Sequence, residues 1–194
     1  MSDSQKPTAA ELAEHFRLNP MPLEGGLFRR TWSGAPQQDG RAAGSAIMVL
    51  LSAEDGTFSA MHRLPGDEVW HHYLGAPVEM VLLHPDGSGD VVVLGPDVLN
   101  GQQVQLIVPG GTWMGGSVAP GGDWSLFGCT MAPGFVATDY EGGEADELCA
   151  RYPRLADRIR ALCRPGQPLR HPADASPDLL VGGSEDLVND GPEG

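Results

Sequence analysis

The run Glu68-Val69-Trp70-His71-His72-Tyr73 brings a carboxyl, an indole, two imidazoles and a phenol together at strand spacing. A strand alternates its faces, so Glu68, Trp70 and His72 share one side and Val69, His71 and Tyr73 the other. Before the Pro65-Gly66 turn, His62 and Leu64 share a face in the same way. In an apolar interior a carboxylate is disfavoured as an ion unless an imidazole carries the compensating charge. A Glu–His pair in that setting trades a proton near neutral pH, as general acid–base chemistry requires. Glu68 and His62 are therefore the expected catalytic pair. Trp70 is expected to stack on a planar or apolar substrate face. His72 is divided between pocket and packing, and His71 reads as structural or as a subunit contact. Arg29 and Thr31 lie within reach on an earlier strand whose facing nothing in the sequence anchors.

Those side chains need a scaffold of strands. Leu27–Trp32, Ser45–Leu51, Phe58–Leu64, Val69–Leu74, Val78–His84, Asp90–Leu94, Gln103–Val108, Trp113–Val118 and Trp124–Met131 read as short strands between Gly/Pro turns. Phe58–Leu64 and Val69–Leu74, flanking Pro65-Gly66, are expected to form a hairpin. So many strands with almost no helix between them suit an antiparallel sandwich or barrel. Ahead of them, Thr8 and Glu11 form a capping box for a short helix carrying Leu12 and Phe16, which Asn19-Pro20 ends. After Phe135, Glu144–Ala150 and Pro153–Leu162 read as helices, with Leu155, Ile159 and Leu162 at helical spacing. His15, His84 and His171 fall in a helix, a turn and the tail, and receive no role.

A chain of 194 residues is long enough to bury a full core unaided. Its net charge of −14 argues against nucleic acid or an anionic membrane as partner. Three cysteines, none in a C-x-x-C pair, indicate neither a disulfide framework nor a zinc knuckle. No apolar run approaches the ~18 residues of a membrane span, and the polar N-terminus lacks a signal-peptide core. Cytoplasmic residence is the default expectation. The chain divides into a mobile start (1–7), a domain (8–163) and an acidic, mostly disordered tail (164–194), where six acids face one arginine after Pro165. The patch Leu179-Leu180-Val181 in that tail is a possible docking segment.

The spacing of the central motif resembles the cupin superfamily. Gly56, His62, Glu68 and Gly75 fit the first cupin motif, G-x5-H-x-H-x3-E-x6-G, with Leu64 replacing the second histidine. Pro109-Gly110-Gly111-Thr112-Trp113-Met114 fits the second, with Met114 replacing its histidine. Glu24-Gly25-Gly26 with Phe28-Arg29, Asp67–Gly75, Val93–Asp97, Val108–Trp113 and Ala132–Phe135 are similar to one small single-domain cupin group across residues 8 to 163. Two positions depart from that group: Met114 stands where glutamine is frequent, and Arg30 where glutamate is.

The resemblance implies an all-β double-stranded β-helix, or jelly roll, with a short N-terminal helix and C-terminal helices. It places Glu68 and His62 in a pocket ringed by Trp70, His72, Leu64 and Met114. Only two of the four usual metal ligands survive, and a catalytic metal site needs about three. His72 as a third would sit ~13 Å of strand from Glu68. No metal and no cofactor are expected. The superfamily includes metal-free sugar epimerases with a histidine base, so the leading expectation is a metal-independent isomerase, epimerase or cyclase. The alternatives are a non-catalytic small-molecule binding protein and a metal-dependent oxygenase or lyase. A homodimer through Val69, His71 and Tyr73 is expected.

Overall fold

The structure is a computed structural model describing residues 6–172. It contains two antiparallel sheets facing one another, with helices at both ends of the chain, as expected for a jelly roll. The strands are β1 (Asn19–Pro20), β2 (Leu27–Ser33), β3 (Ser45–Ser52), β4 (Phe58–Arg63), β5 (Glu68–Gly75), β6 (Val78–Leu83), β7 (Gly89–Leu94), β8 (Gln105–Val108), β9 (Trp113–Val118), β10 (Trp124–Met131) and β11 (Glu141–Gly142). The first sheet runs β1-β2-β3-β10-β5-β8 and the second β11-β4-β9-β6-β7.

The hairpin expected around Pro65-Gly66 does not form. β4 pairs with β9 and β11 in one sheet, while β5 pairs with β10 and β8 in the other. The turn is a crossing between sheets. The Pro109-Gly110-Gly111 turn is a second crossing, from β8 to β9, and the two are laced together. The Gly111 N–H donates to the Leu64 carbonyl at 2.7 Å, and the Gly110 N–H to the Asp67 carboxylate at 2.9 Å. A Cβ on Gly110 would collide with the Pro65 carbonyl oxygen, so the position admits only glycine. By contrast, β6 and β7 do form a hairpin, around Pro85-Asp86-Gly87.

The main core lies between the sheets. Phe28, Val49, Leu51, Trp70, Met80, Leu94, Met114, Phe127 and Met131 fill it from alternating positions of both. Trp70 and Phe127 stack at 4.8 Å between ring centroids, a contact worth ~0.5–1.5 kcal/mol beyond burial. A bulge in β5 leaves Tyr73 unpaired between His72 and Leu74. Tyr73 lies over Gly128, where a side chain would strike its ring.

Two smaller cores cover the outer faces of the sheets. Helix α1 (Ala9–His15) presents Leu12 to Leu50, Trp124 and Leu126. Its capping box is formed: the Glu11 N–H donates to Thr8 Oγ1 at 3.2 Å and the Thr8 N–H to Glu11 Oε2 at 2.8 Å. Helices α2 (Ala145–Arg151) and α3 (Ala156–Ala161), joined by a 3-10 turn opening at Pro153, cover the second sheet. There Leu148, Tyr152 and Ile159 meet Met61, Leu83 and Trp113.

The described residues extend past the expected tail boundary at 164. Residues 164–172 run back across the barrel: Arg164 stacks on Phe58 at 4.5 Å and the Gly142 N–H donates to the Leu169 carbonyl at 2.7 Å. The remainder of the tail, with Leu179-Leu180-Val181, lies outside the described residues, as do residues 1–5.

Candidate functional site

The loop between β1 and β2 bends sharply, with positive φ at Leu23 (61°), Gly25 (95°) and Gly26 (77°). The bend turns the Glu24 side chain inward. The Ala60 N–H in β4 holds the Glu24 carbonyl at 2.8 Å, and the Ala60 carbonyl accepts from the His62 ring Nδ1 at 2.7 Å. One residue of β4 therefore sets both the loop and the imidazole. With Nδ1–H committed to Ala60, the other ring nitrogen faces Glu24: His62 Nε2 lies 3.2 Å from Glu24 Oε1. The approach is at ion-pair distance but off the line of a good hydrogen bond, leaving this buried nitrogen without an aligned partner. Tyr140 covers the other side of the imidazole, stacked at 5.5 Å.

Glu68 starts β5, 5 % exposed. Its Oε2 accepts from the Trp70 indole N–H at 2.9 Å, and the buried Cys129 of the adjacent β10 pairs with Trp70 in register. Glu24 and Glu68 both line one narrow cavity of about 40 Å³. Its walls are mostly apolar (Met21, Phe28, Ile47, Leu64, Met131 and Phe135), with Arg30, Ser45, Cys129 and His171 as further polar members.

Burial dominates the electrostatics. It pushes the Glu24 carboxyl up to about 7. The Glu68 carboxyl rises to about 7 through burial first and the neighbouring Glu24 charge second; His62, Trp70 and Cys129 pull the other way. Burial lowers the His62 imidazole, opposed by the Glu68 charge and the Ala60 bond. The Cys129 thiol is pushed well above its usual range by burial and then by the two carboxylates. Two carboxyls that repel each other and lose hydration together ionise in sequence, so near neutrality one is an acid and the other a base.

The expected site residues are dispersed around this cavity. Glu68 and Leu64 line it. His62 sits one layer back, 1 % exposed, touching Glu24. Trp70 shares the inner face with Glu68 but is buried in the core, so its ring packs on Phe127 and its N–H serves Glu68. Met114 is core filler beside His62 across the β4–β9 pair. His72 is half-buried next to the bulge, with Nε2 3.3 Å from the Ala76 carbonyl. Arg29 points away from the cavity to the Phe16 carbonyl at 3.4 Å. Thr31 is exposed and donates to the Ala46 carbonyl at 3.3 Å. β2 turns Phe28 and Arg30 inward, the parity opposite to Arg29 and Thr31.

Glu24, Arg30, Cys129 and His171 are the additions. Glu24 carries a visible signal, a carboxylate before Gly25-Gly26 where the chain must turn tightly. Arg30 is visible only as a departure from the similar cupin group, and Cys129 and His171 carry no signal. The outer face of β5 matches its reading: His71 meets Gln105 at 3.2 Å and Thr130 at 3.3 Å in a surface network.

A cupin metal would use the positions of His62, Leu64, Glu68 and Met114. Leu64 offers no donor, and Met114 only a thioether packed in the core. Among the described residues no three His, Cys, Asp or Glu side chains are placed to hold a metal ion. The donor set does not fit the superfamily's usual metal. Nor is any described helix long and apolar enough to cross a membrane.

Comparison with known proteins agrees with this architecture. Residues 10–142 match the family described as Cupin superfamily (DUF985). A crystal structure of a protein from Shewanella oneidensis is 30% identical, with a TM-score of 0.76 over 82% of this chain and 99% of that one. A hypothetical protein from Leishmania major is 28% identical, with a TM-score of 0.71 over 81% and 99%. A cupin 2 conserved barrel domain protein from Rhodopseudomonas palustris, 14% identical over 74% of this chain and 83% of its own, shares the fold at a TM-score of 0.50. No curated protein matched significantly. By sequence match and by barrel geometry, the chain belongs to the cupin superfamily, in the DUF985 family.

Proposed function

We propose that the protein is a metal-independent cupin enzyme that moves a proton on a small molecule, as in isomerisation, epimerisation or cyclisation. The observation that carries this reading is the placement of two carboxyls, Glu24 and Glu68, on one buried apolar cavity that holds both above the usual carboxylate range, with His62 buried behind Glu24. One carboxyl takes a proton from a carbon next to a carbonyl while the other supplies one. Because Nδ1 of His62 is committed to Ala60, the Glu24–His62 contact holds a proton on either partner and can reset Glu24 after a turnover. The cavity of about 40 Å³ admits roughly three or four waters at ~10–15 Å³ each. A substrate is therefore small, or it displaces the flexible Met21 and Met131 side chains.

The test is solvent exchange. Small carbonyl compounds, from 2-oxo acids to aldoses, are incubated with the protein in deuterated water and followed by NMR. Wild type should accelerate exchange at the carbon beside the carbonyl. Glu68→Gln and Glu24→Gln should each lose at least ~10²-fold, and His62→Ala should lose rate without losing the fold. The apolar lining also suits a carrier. A molecule retained from untreated lysate, chemically unchanged and held as tightly by Glu68→Gln as by wild type, would replace the catalytic reading with that one.

A further inference from the structure

The segment after α3 does more than cover a surface. Arg164 bridges the β1–β2 loop and the start of β4: Nη1 donates to the Leu23 carbonyl at 3.4 Å and Nη2 to the Phe58 carbonyl at 3.3 Å. The Gln167 side-chain amide donates to the same Leu23 carbonyl. Leu23 immediately precedes Glu24 and is itself held at positive φ, a conformation a leucine adopts only when its surroundings enforce it. The guanidinium occupies the space a Cβ on Gly25 would need. Farther along, Arg170 lies 3.3 Å from Glu141, itself fixed by two bonds from Arg63. His171 then packs edge-on against Tyr140 at 5.2 Å, the ring that stacks on His62, and also lines the cavity.

We propose that residues 164–172 form a positioning strap: Arg164 and Gln167, acting through the Leu23 carbonyl, set Glu24 against His62, and His171 forms the outer wall of the cavity. The assignment rests on reading Glu24, His62 and Glu68 as the reacting groups, yet its test needs no substrate. A left-handed leucine followed by two left-handed glycines has little intrinsic preference for one arrangement. Two donors on one carbonyl remove that freedom at the residue adjoining the carboxyl. Arg164 and Gln167 are positioning residues; neither touches the cavity.

The experiment is a double-mutant cycle on the full chain, read by the NMR titration of the His62 ring. Arg164→Met keeps an apolar stem over Phe58 and removes both bonds. It should shift the His62 midpoint by at least 0.3 pH unit, as about a twofold change in the protonation equilibrium. Arg164→Lys should restore part of that shift. In a Glu24→Gln background, Arg164→Met should produce no additional shift, because its effect runs through Glu24. Gln167→Ala, a milder change, should show the same dependence and serves if Arg164→Met does not fold. An unchanged His62 titration in the folded variants, or an equal shift in the Glu24→Gln background, would overturn the proposal. Loss of solvent exchange in wild type would instead strike the catalytic reading and leave the strap standing.

Discussion

Glu68 accepts an indole hydrogen bond and is destabilised, when charged, by burial and by the neighbouring Glu24, which together outweigh the pull of His62, Trp70 and Cys129. A carboxyl whose folded pKa lies above its unfolded value favours the native state while protonated. Its contribution is complete below about 4.5 and is lost as pH rises through about 7. Glu24 works in the same direction. His62, lowered by burial, has the opposite sign: its contribution is present above the ordinary histidine range and is lost as pH falls through its folded value. Substituting Glu68→Gln removes the first term. The variant should gain on wild type between pH 5 and pH 8, by on the order of 1–3 kcal/mol. Urea unfolding at the two values measures this, and a constant difference would mean that Glu68 ionises as freely in the barrel as in water.

At the scale of elements, the crossings and the Glu24 loop carry the site. Gly25→Ala would place a methyl at a positive φ, 2.7 Å from the Phe58 carbonyl oxygen and against the Arg164 guanidinium. It should cost ~2–3 kcal/mol. Gly56→Ala also sits at positive φ but meets nothing within 4 Å, and should cost ~1 kcal/mol. Denaturant melts of the two variants separate backbone conformation from crowding, and equal losses would show that the cradle around Gly25 yields.

These elements also show what was legible in advance. Alternating apolar residues and Gly/Pro punctuation located the strands, and the cupin spacing put Glu68 and Leu64 on the inner wall. A Pro-Gly turn announces a reversal, however, and not the sheet to which the chain returns; hence the false hairpin at Pro65-Gly66. Parity gave the face of Trp70 but not its depth, which Phe127 decides from β10. On β2 only the neighbouring sheet distinguishes Arg29 from Arg30. Glu24 has no periodicity to betray it, because its direction comes from three left-handed residues. The strap was hidden by a composition of Pro, Gly and Arg that reads as solvated tail.

The whole molecule leaves an apolar strip on the outer face of the first sheet. Ile107 is 60 % exposed and pairs with Val69, and Tyr73 is 48 % exposed nearby. A homodimer joined on this strip remains our proposal for the assembly. Light scattering on a size-exclusion column should give twice the 20.5 kDa chain mass, and Ile107→Glu should halve it. A single-chain mass for wild type would assign the strip to something else. Within the chain, Glu24 enters from the first sheet's loop, His62 from the second sheet, and Glu68 from the first again. No half of the barrel holds the trio, so on the proposed reading a chain that has built the first sheet alone has both carboxyls but not the imidazole behind Glu24. On that reading full competence arrives only when the two layers close, and on heating it should depart with that closure, ahead of any strand that outlasts it.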